Sequence, residues 1–245
     1  MESLFLSDIE NVRQHVNCSV SPLFELAASL HLLASPPGGE LHQEWRQQAL
    51  QLLRLGHLER EWEYFAPAFS LSVPWIFHPD KTKSIDTSEA IHAYLMDLSV
   101  EDFRTSLSRS LRGEHPVEVI DACQVEIDLQ RDPAFVKGRF QLFVFTFWDM
   151  IFSLIWKELS PVFQRELEAI EEALADGERF LHFLQAVTMH SVHLPQLAGQ
   201  MSAEQPNGIT AIWLYPSWFF AGMSHLHIHE RVAHLVYNLT ARSLP

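Results

Sequence analysis

The sequence has few cysteines, few basic residues and no self-sufficient catalytic signature. Cys18 and Cys123 are its only 2 cysteines, and neither has a CxxC neighbour. They can form at most one bridge, which excludes a disulfide scaffold and a cysteine-rich zinc site. Against 31 Asp and Glu stand 17 Lys and Arg, a formal net charge of −14. Neutralising phosphates needs clustered Lys and Arg, so no direct contact with nucleic acid or anionic lipid is expected. There is no GxSxG elbow, no GxGxxG, no Walker loop and no catalytic-cysteine context. No catalytic residue is therefore assigned and no cofactor is expected. The first ten residues lack a basic region and carry acids where a signal peptide needs an apolar run. The expected location is the cytoplasm.

What is present is a globular composition, 47% hydrophobic and 20% charged over 245 residues, which excludes disorder as the dominant state. The longest apolar run is 140–156, Phe-Gln-Leu-Phe-Val-Phe-Thr-Phe-Trp-Asp-Met-Ile-Phe-Ser-Leu-Ile-Trp. It is at the short end of spanning length, and an unpaired Asp149 in lipid would cost several kcal/mol, so no membrane span is expected. A helix apolar on every side is otherwise the central helix of a globular core.

Punctuation divides the rest. Ser7 with Glu10 forms a capping box, and Ser21-Pro22 supplies an N-cap followed by proline at the first helical position. Further helices are predicted over about 41–55, with Gly56 as C-cap, and over 58–64, 87–98 and 99–111. Residues 70–84 read as a loop, and 118–129 fit a strand or a helix equally. Ser160-Pro161 repeats the cap-plus-proline start, and another helix follows Gly177. Beyond residue 205, Ile209 to Tyr215, then His225 to His229, then 232–239 read as strands, with Pro216 breaking the first. The predicted class is α+β, mainly α: a single domain with a multi-helix bundle around the aromatic helix over about 1–200. A small antiparallel β-meander follows over about 205–240.

Two constellations could carry chemistry. Phe143, Phe147, Trp148, Asp149, Phe152 and Trp156, with Trp213 and Tyr215 later in the chain, have the composition of an apolar small-molecule pocket. Rings also fill cores, which is the plainer reading. Asp149, set among apolar neighbours, would orient a ligand, pair with a base or sit on the helix's wet edge. His225, His227 and His229 fall on one strand face, and His190 and His193 lie three apart. Together they suit zinc if a third ligand converges; otherwise they occupy a solvated face. His229-Glu-Arg-Val-Ala-His234 has one residue too many for HExxH, placing its histidines about 140° apart on a helix.

The order of features resembles a known arrangement. Ser21-Pro-Leu-Phe-Glu-Leu-Ala-Ala-Ser-Leu-His-Leu-Leu and the Trp45 helix come first. Phe147-Trp-Asp-Met-Ile-Phe leading into Ser160-Pro-Val-Phe-Gln-Arg-Glu-Leu-Glu comes next. Ile212-Trp-Leu-Tyr-Pro-Ser-Trp-Phe-Phe and a closing Leu235-Val-Tyr end the series. This is similar to the uncharacterised domain that precedes the winged helix in some bacterial ArsR-type transcriptional regulators. The resemblance implies a non-enzymatic sensor-like or regulatory domain, binding an apolar small molecule and forming a homodimer. It carries over no catalytic residue, and no recognition helix is found here. A metal-dependent enzyme or metal sensor built on the histidines, with zinc as cofactor, is the first alternative. A structural protein-interaction module is the second.

Overall fold

The computed structural model describes residues 13–35, 43–113, 123–187, 209–220 and 224–239. In chain order these form β1 (Val16–Cys18), α1 (Pro22–Ala34), α2 (Gln43–Leu55), α3 (Glu59–Phe65), α4 (Pro67–Ser70), a 3-10 turn (Trp75–Phe77), α5 (Pro79–Thr82), α6 (Ser88–Asp97), α7 (Val100–Arg112), α8 (Gln124–Arg131) and α9 (Pro133–Phe147). A π turn (Trp148–Phe152), α10 (Ser153–Leu174), α11 (Gly177–Val187), β2 (Ala211–Ser217), β3 (Ser224–His229) and β4 (Val232–Asn238) complete it. The class is α+β, mainly α, as the sequence predicts. The chain divides into two compact units, one of residues 21–158, the other of 1–20 with 159–245. The division does not follow the sequence reading of a helical body to about 200, because the sheet goes with helical residues from 159 onward.

In the unit of residues 21–158, side-chain caps start the helices. The Oγ atoms of Ser21, Thr87 and Ser99 accept from the amides of Phe24, Ala90 and Asp102, which satisfies donors the helix leaves unpaired. α1 is buried on every side, Leu23, Leu26, Ala27 and Leu30 being wholly inaccessible. Around it the core is made of rings. Phe140 of α9 lies 5.1 Å from Phe65 of α3, 6.1 Å from Phe69 of α4, 5.9 Å from Phe77 and 5.3 Å from Phe103 of α7. Residues 70–84 are less irregular than their prolines suggest, since Pro79 starts α5 at a position where its missing donor costs nothing. Of the two readings for 118–129, the described part, α8, is helical.

The end of α2 exchanges the roles of two residues. His57, not Gly56, takes the left-handed position at φ 56°. The amide of Leu58 donates to Leu53 O at 2.8 Å and that of His57 to Arg54 O at 3.1 Å, a Schellman closure. A Cβ on Gly56 would lie 2.9 Å from Met150 Cε and 3.2 Å from Leu52 O, so a side chain there would displace the flexible methionine tip.

In the other unit the four strands lie in the order β1-β2-β4-β3. The antiparallel pair is β3–β4, while β2 runs parallel to both β1 and β4. This departs from a simple meander: β3, next in the chain after β2, takes the sheet edge, and β4 returns between the two. Glu230 and Arg231, at φ 47° and 68°, form the two-residue turn between β3 and β4, the twist a tight hairpin requires. Pro216 does not end β2. It lies beyond Leu214, the last residue paired with β1, so no neighbour on that side needs its donor. The sheet face carrying Leu214, Leu235 and Tyr237 is buried. Tyr237 Oη donates to Glu166 Oε1 of α10 at 2.8 Å, and its ring meets Phe183 of α11 edge-on at 5.9 Å.

Pro161 does not start a helix; it lies inside α10. Leu159 and Phe163, on either side of it, are both buried. That packing outweighs the roughly 3 kcal/mol cost of an interior proline, and the carbonyl it leaves unbonded belongs to exposed Lys157.

Candidate functional site

The aromatic helix has two faces, although its sequence looks apolar all round. Its inner face carries most of the residues read as a pocket. Phe143, Phe147, Trp148 and Phe152 are buried and packed ring on ring. Phe143 meets Trp62 at 6.3 Å, Phe65 at 5.7 Å and Phe147 at 6.1 Å, while Trp148 meets Phe152 at 5.6 Å. Trp156 is half-buried. Trp213 and Tyr215 belong to the other unit. Asp149 is exposed, its Oδ1 accepting from Ser88 Oγ at 3.5 Å, so it occupies the wet edge of the helix rather than an apolar site.

The outer face is built by neighbouring helices that clasp only its flanks. α6 runs antiparallel to α9 along one flank. Ser88 reaches Asp149, His92 stacks on Phe145 at 3.7 Å, Gln141 Nε2 donates to Leu95 O, and Lys137 Nζ donates to Met96 O at 3.1 Å. On the other flank Arg139 Nη2 donates to both carboxylate oxygens of Glu61 at 2.9 Å, and Met150 covers Gly56. Between these flanks Phe135, Leu142 and Leu154 are exposed by 58%, 68% and 59%, and Met150, on the Gly56 side of the row, by 47%. A Cβ on Gly138, in the same row, would meet nothing within 4 Å. Steps of four over-rotate by about 40° on an α-helix, and the wider π turn absorbs that drift. The row therefore stays on one face. The sequence reading missed this face because leucine and phenylalanine in an apolar run carry no mark of which side they take. Gly138 and Thr146 at helical spacing from Leu142 were the available signal.

The histidine strand lies at the sheet edge. His227 is in register with His234 of β4, and the rings of His227 and His229 are stacked 6.2 Å apart. His234 Nδ1 and Tyr215 Oη are 3.2 Å apart with near-parallel rings, and Trp213 stacks on Tyr215 at 6.1 Å. These flat rings lie side by side instead of converging. Among the described residues no three His, Cys, Asp or Glu side chains gather around a point where a metal could sit, as tetrahedral zinc requires. His190 and His193 lie outside the described residues.

No family model, no curated protein and no solved structure matches the chain.

A groove of about 350 Å³ is lined by Arg104, Thr105, Ser108, Arg112, Leu129 and Gln130. None of the residues read as a pocket lines it. Its guanidinium groups are already engaged, Arg104 with Glu101 and Arg112 with Glu126, both at 2.8 Å. A buried carboxylate–imidazole pair, His78 Nδ1 and Asp80 Oδ1 at 2.7 Å, lies beneath Trp75, whose ring stacks on His78 at 4.2 Å. Nearby, Tyr94 Oη donates to Ile76 O. Burial, then the charges of Asp80 and Asp102, push the Tyr94 phenol up to about 12. Burial and then Glu171 push the Cys18 thiol up, which withholds the thiolate a nucleophilic cysteine needs. Among the described residues no helix is long and apolar enough to cross a membrane.

Proposed function

We propose that this chain is a non-enzymatic regulatory domain that works by protein association through the exposed face of the aromatic helix. This keeps the regulatory sense implied by the resemblance to ArsR-type regulators and moves the active surface from a pocket to a helix face. The observation that carries it is the row from Phe135 to Leu154. Four large apolar side chains are about half exposed or more along one helix. Large apolar side chains left in water together on one helix face favour an interaction site over singly scattered exposure. Support over an apolar-ligand pocket comes from the inner face, where the rings contact one another. Support over a lipid surface comes from the net charge of −14.

The test is sedimentation velocity of labelled protein, both purified and in an extract of its source cells, for the native chain and Leu142→Lys. A faster-sedimenting species lost in the variant in either setting is the expected result. Identical sedimentation of the two proteins in both settings would refute the reading.

A further inference from the structure

We infer that the groove between α7 and α8 binds an extended acidic peptide, at a site separate from the face of the aromatic helix. Its wall on α7 is Arg104, Thr105, Ser108 and Arg112, and on α8 it is Leu129 and Gln130. At about 100° per residue the four α7 positions fall within one arc of about 100°, so they form a single stripe. Arg104 and Arg112 stand at its two ends, roughly 12 Å apart along the helix axis. Leu129, 1% exposed, is the apolar floor. Every polar side chain of this wall can donate a hydrogen bond and none is an acid, in a chain whose net charge is −14.

Both guanidinium groups are oriented without being used up. Arg104 Nη2 donates to Glu101 Oε1 and Arg112 Nε donates to Glu126 Oε1, both at 2.8 Å. A guanidinium carries five N–H donors in a fixed fork, and the remaining ones have no acceptor among the described residues. Arg112, held through Nε, keeps its two Nη groups for the two oxygens of a carboxylate. The other acids of these helices are turned to donors of their own. Asp102 accepts from Ser99 Oγ at 2.7 Å, and Asp128 from Tyr64 Oη at 2.8 Å and Gln124 Nε2 at 2.9 Å. Acids farther than about 8 Å are largely screened at physiological salt.

Spacing selects the ligand. An extended chain advances about 3.3 Å per residue, and side chains two apart share a side. Two carboxylates four residues apart therefore lie about 13 Å from each other on one side, which matches the distance between the arginines. The side chain midway between them then faces Leu129, and Thr105, Ser108 and Gln130 are placed to donate to the peptide's carbonyl groups. A nucleic acid suits the groove poorly. Its phosphates recur about every 3.4 Å along a strand, and those between the two arginines would meet only uncharged residues. Exposed ion pairs contribute modestly, so the expected dissociation constant is about 100 μM.

The experiment is fluorescence polarisation of the purified full chain with a fluorescein-labelled, end-blocked peptide Glu-Thr-Val-Thr-Glu. Valine holds the midway position, and the threonines favour an extended chain. The native chain is expected to approach saturation at about 1 mM. Arg104→Gln and Arg112→Gln, at exposed side chains, are each expected to weaken binding at least about fivefold. Arg131→Gln, at an exposed arginine of α8 outside the groove, is expected to change it less than about twofold. Two peptide controls need no protein variant and keep the test available if a variant fails to fold. Gln-Thr-Val-Thr-Gln removes the charge, and Thr-Glu-Val-Glu-Thr keeps it but sets the carboxylates about 7 Å apart. Each is expected to bind at least about tenfold more weakly. A native chain that does not bind the first peptide at about 1 mM overturns the inference. So does equal binding of either control peptide, or binding indifferent to both groove variants. Binding that Arg131→Gln weakens as much as the groove variants do also overturns it. A hexathymidylate that displaces the peptide with equal affinity assigns the groove to polyanions and overturns it as well.

Discussion

Replacing Phe140 by alanine tests whether the aromatic helix is the wall of a pocket or part of a filled core. Phe140 is wholly inaccessible, and its ring lies within 5.1 to 6.1 Å of Phe65, Phe69, Phe77 and Phe103. Truncation to alanine removes a fully buried benzyl-sized group, a transfer loss of about 3 kcal/mol. The four surrounding rings belong to four different elements and cannot all collapse inward. A void of about 100 Å³ at ~24 cal/mol per Å³ then adds roughly 2 kcal/mol. The sum, about 5 kcal/mol, is at the upper end for such a change and corresponds to a melting temperature lower by roughly 10–20 °C in a chain of this size. Urea denaturation followed by near-ultraviolet circular dichroism reads the loss. A second arm adds benzene, which a dry apolar cavity of about 150 Å³ accepts and which this void would admit with a small outward shift of its walls. The variant is expected to regain stability in benzene, and the native protein to be indifferent. A loss under about 2 kcal/mol, together with an equal benzene response in the native protein, would refute the filled core and return the apolar pocket as the leading reading.

Three further outcomes follow from particular residues. Pro161→Ala restores an amide donor inside α10; the gain of about 3 kcal/mol, less about 1 for the looser unfolded chain, should raise the urea midpoint at constant m-value. The double variant E230N/R231G suits the left-handed turn between β3 and β4 and is expected to stabilise by roughly 1–2 kcal/mol in the same assay, with no gain if the turn geometry is otherwise. Tyr94 holds its proton more tightly folded than unfolded, so its contribution is complete below the unfolded value and is lost as pH rises towards about 12. Tyr94→Phe should flatten that part of the alkaline unfolding curve, and an unchanged slope would remove Tyr94 as its cause.

Local chemistry was legible in the sequence. Ser21 caps a helix as its Ser-Pro pair predicts, and Thr87 and Ser99 cap the helices predicted over 87–98 and 99–111, because a cap needs only a side-chain oxygen and an amide three residues on. The strand His225 to His229 is where its alternation put it, since a period of two is a property of the chain itself; the strands on either side of it in sequence also form, the first running past Pro216. The class, mainly α with a small sheet, follows from these signals alone.

Tertiary structure decided the rest, wherever a distant residue changed which local preference prevailed. Pro161 reads as a helix start but lies within a helix, because Leu159 and Phe163 are buried on both sides of it. The order β1-β2-β4-β3 brings Val16–Cys18 to strands nearly two hundred positions away, which no local pattern encodes. The aromatic helix is the clearest case. Composition fixes that its residues are apolar, but only the flanking helices α6 and α3 decide which rings are enclosed and which remain in water. A hydrophobic side chain carries the same free-energy incentive to be buried in either place, and the sequence holds no record of where the neighbours stop.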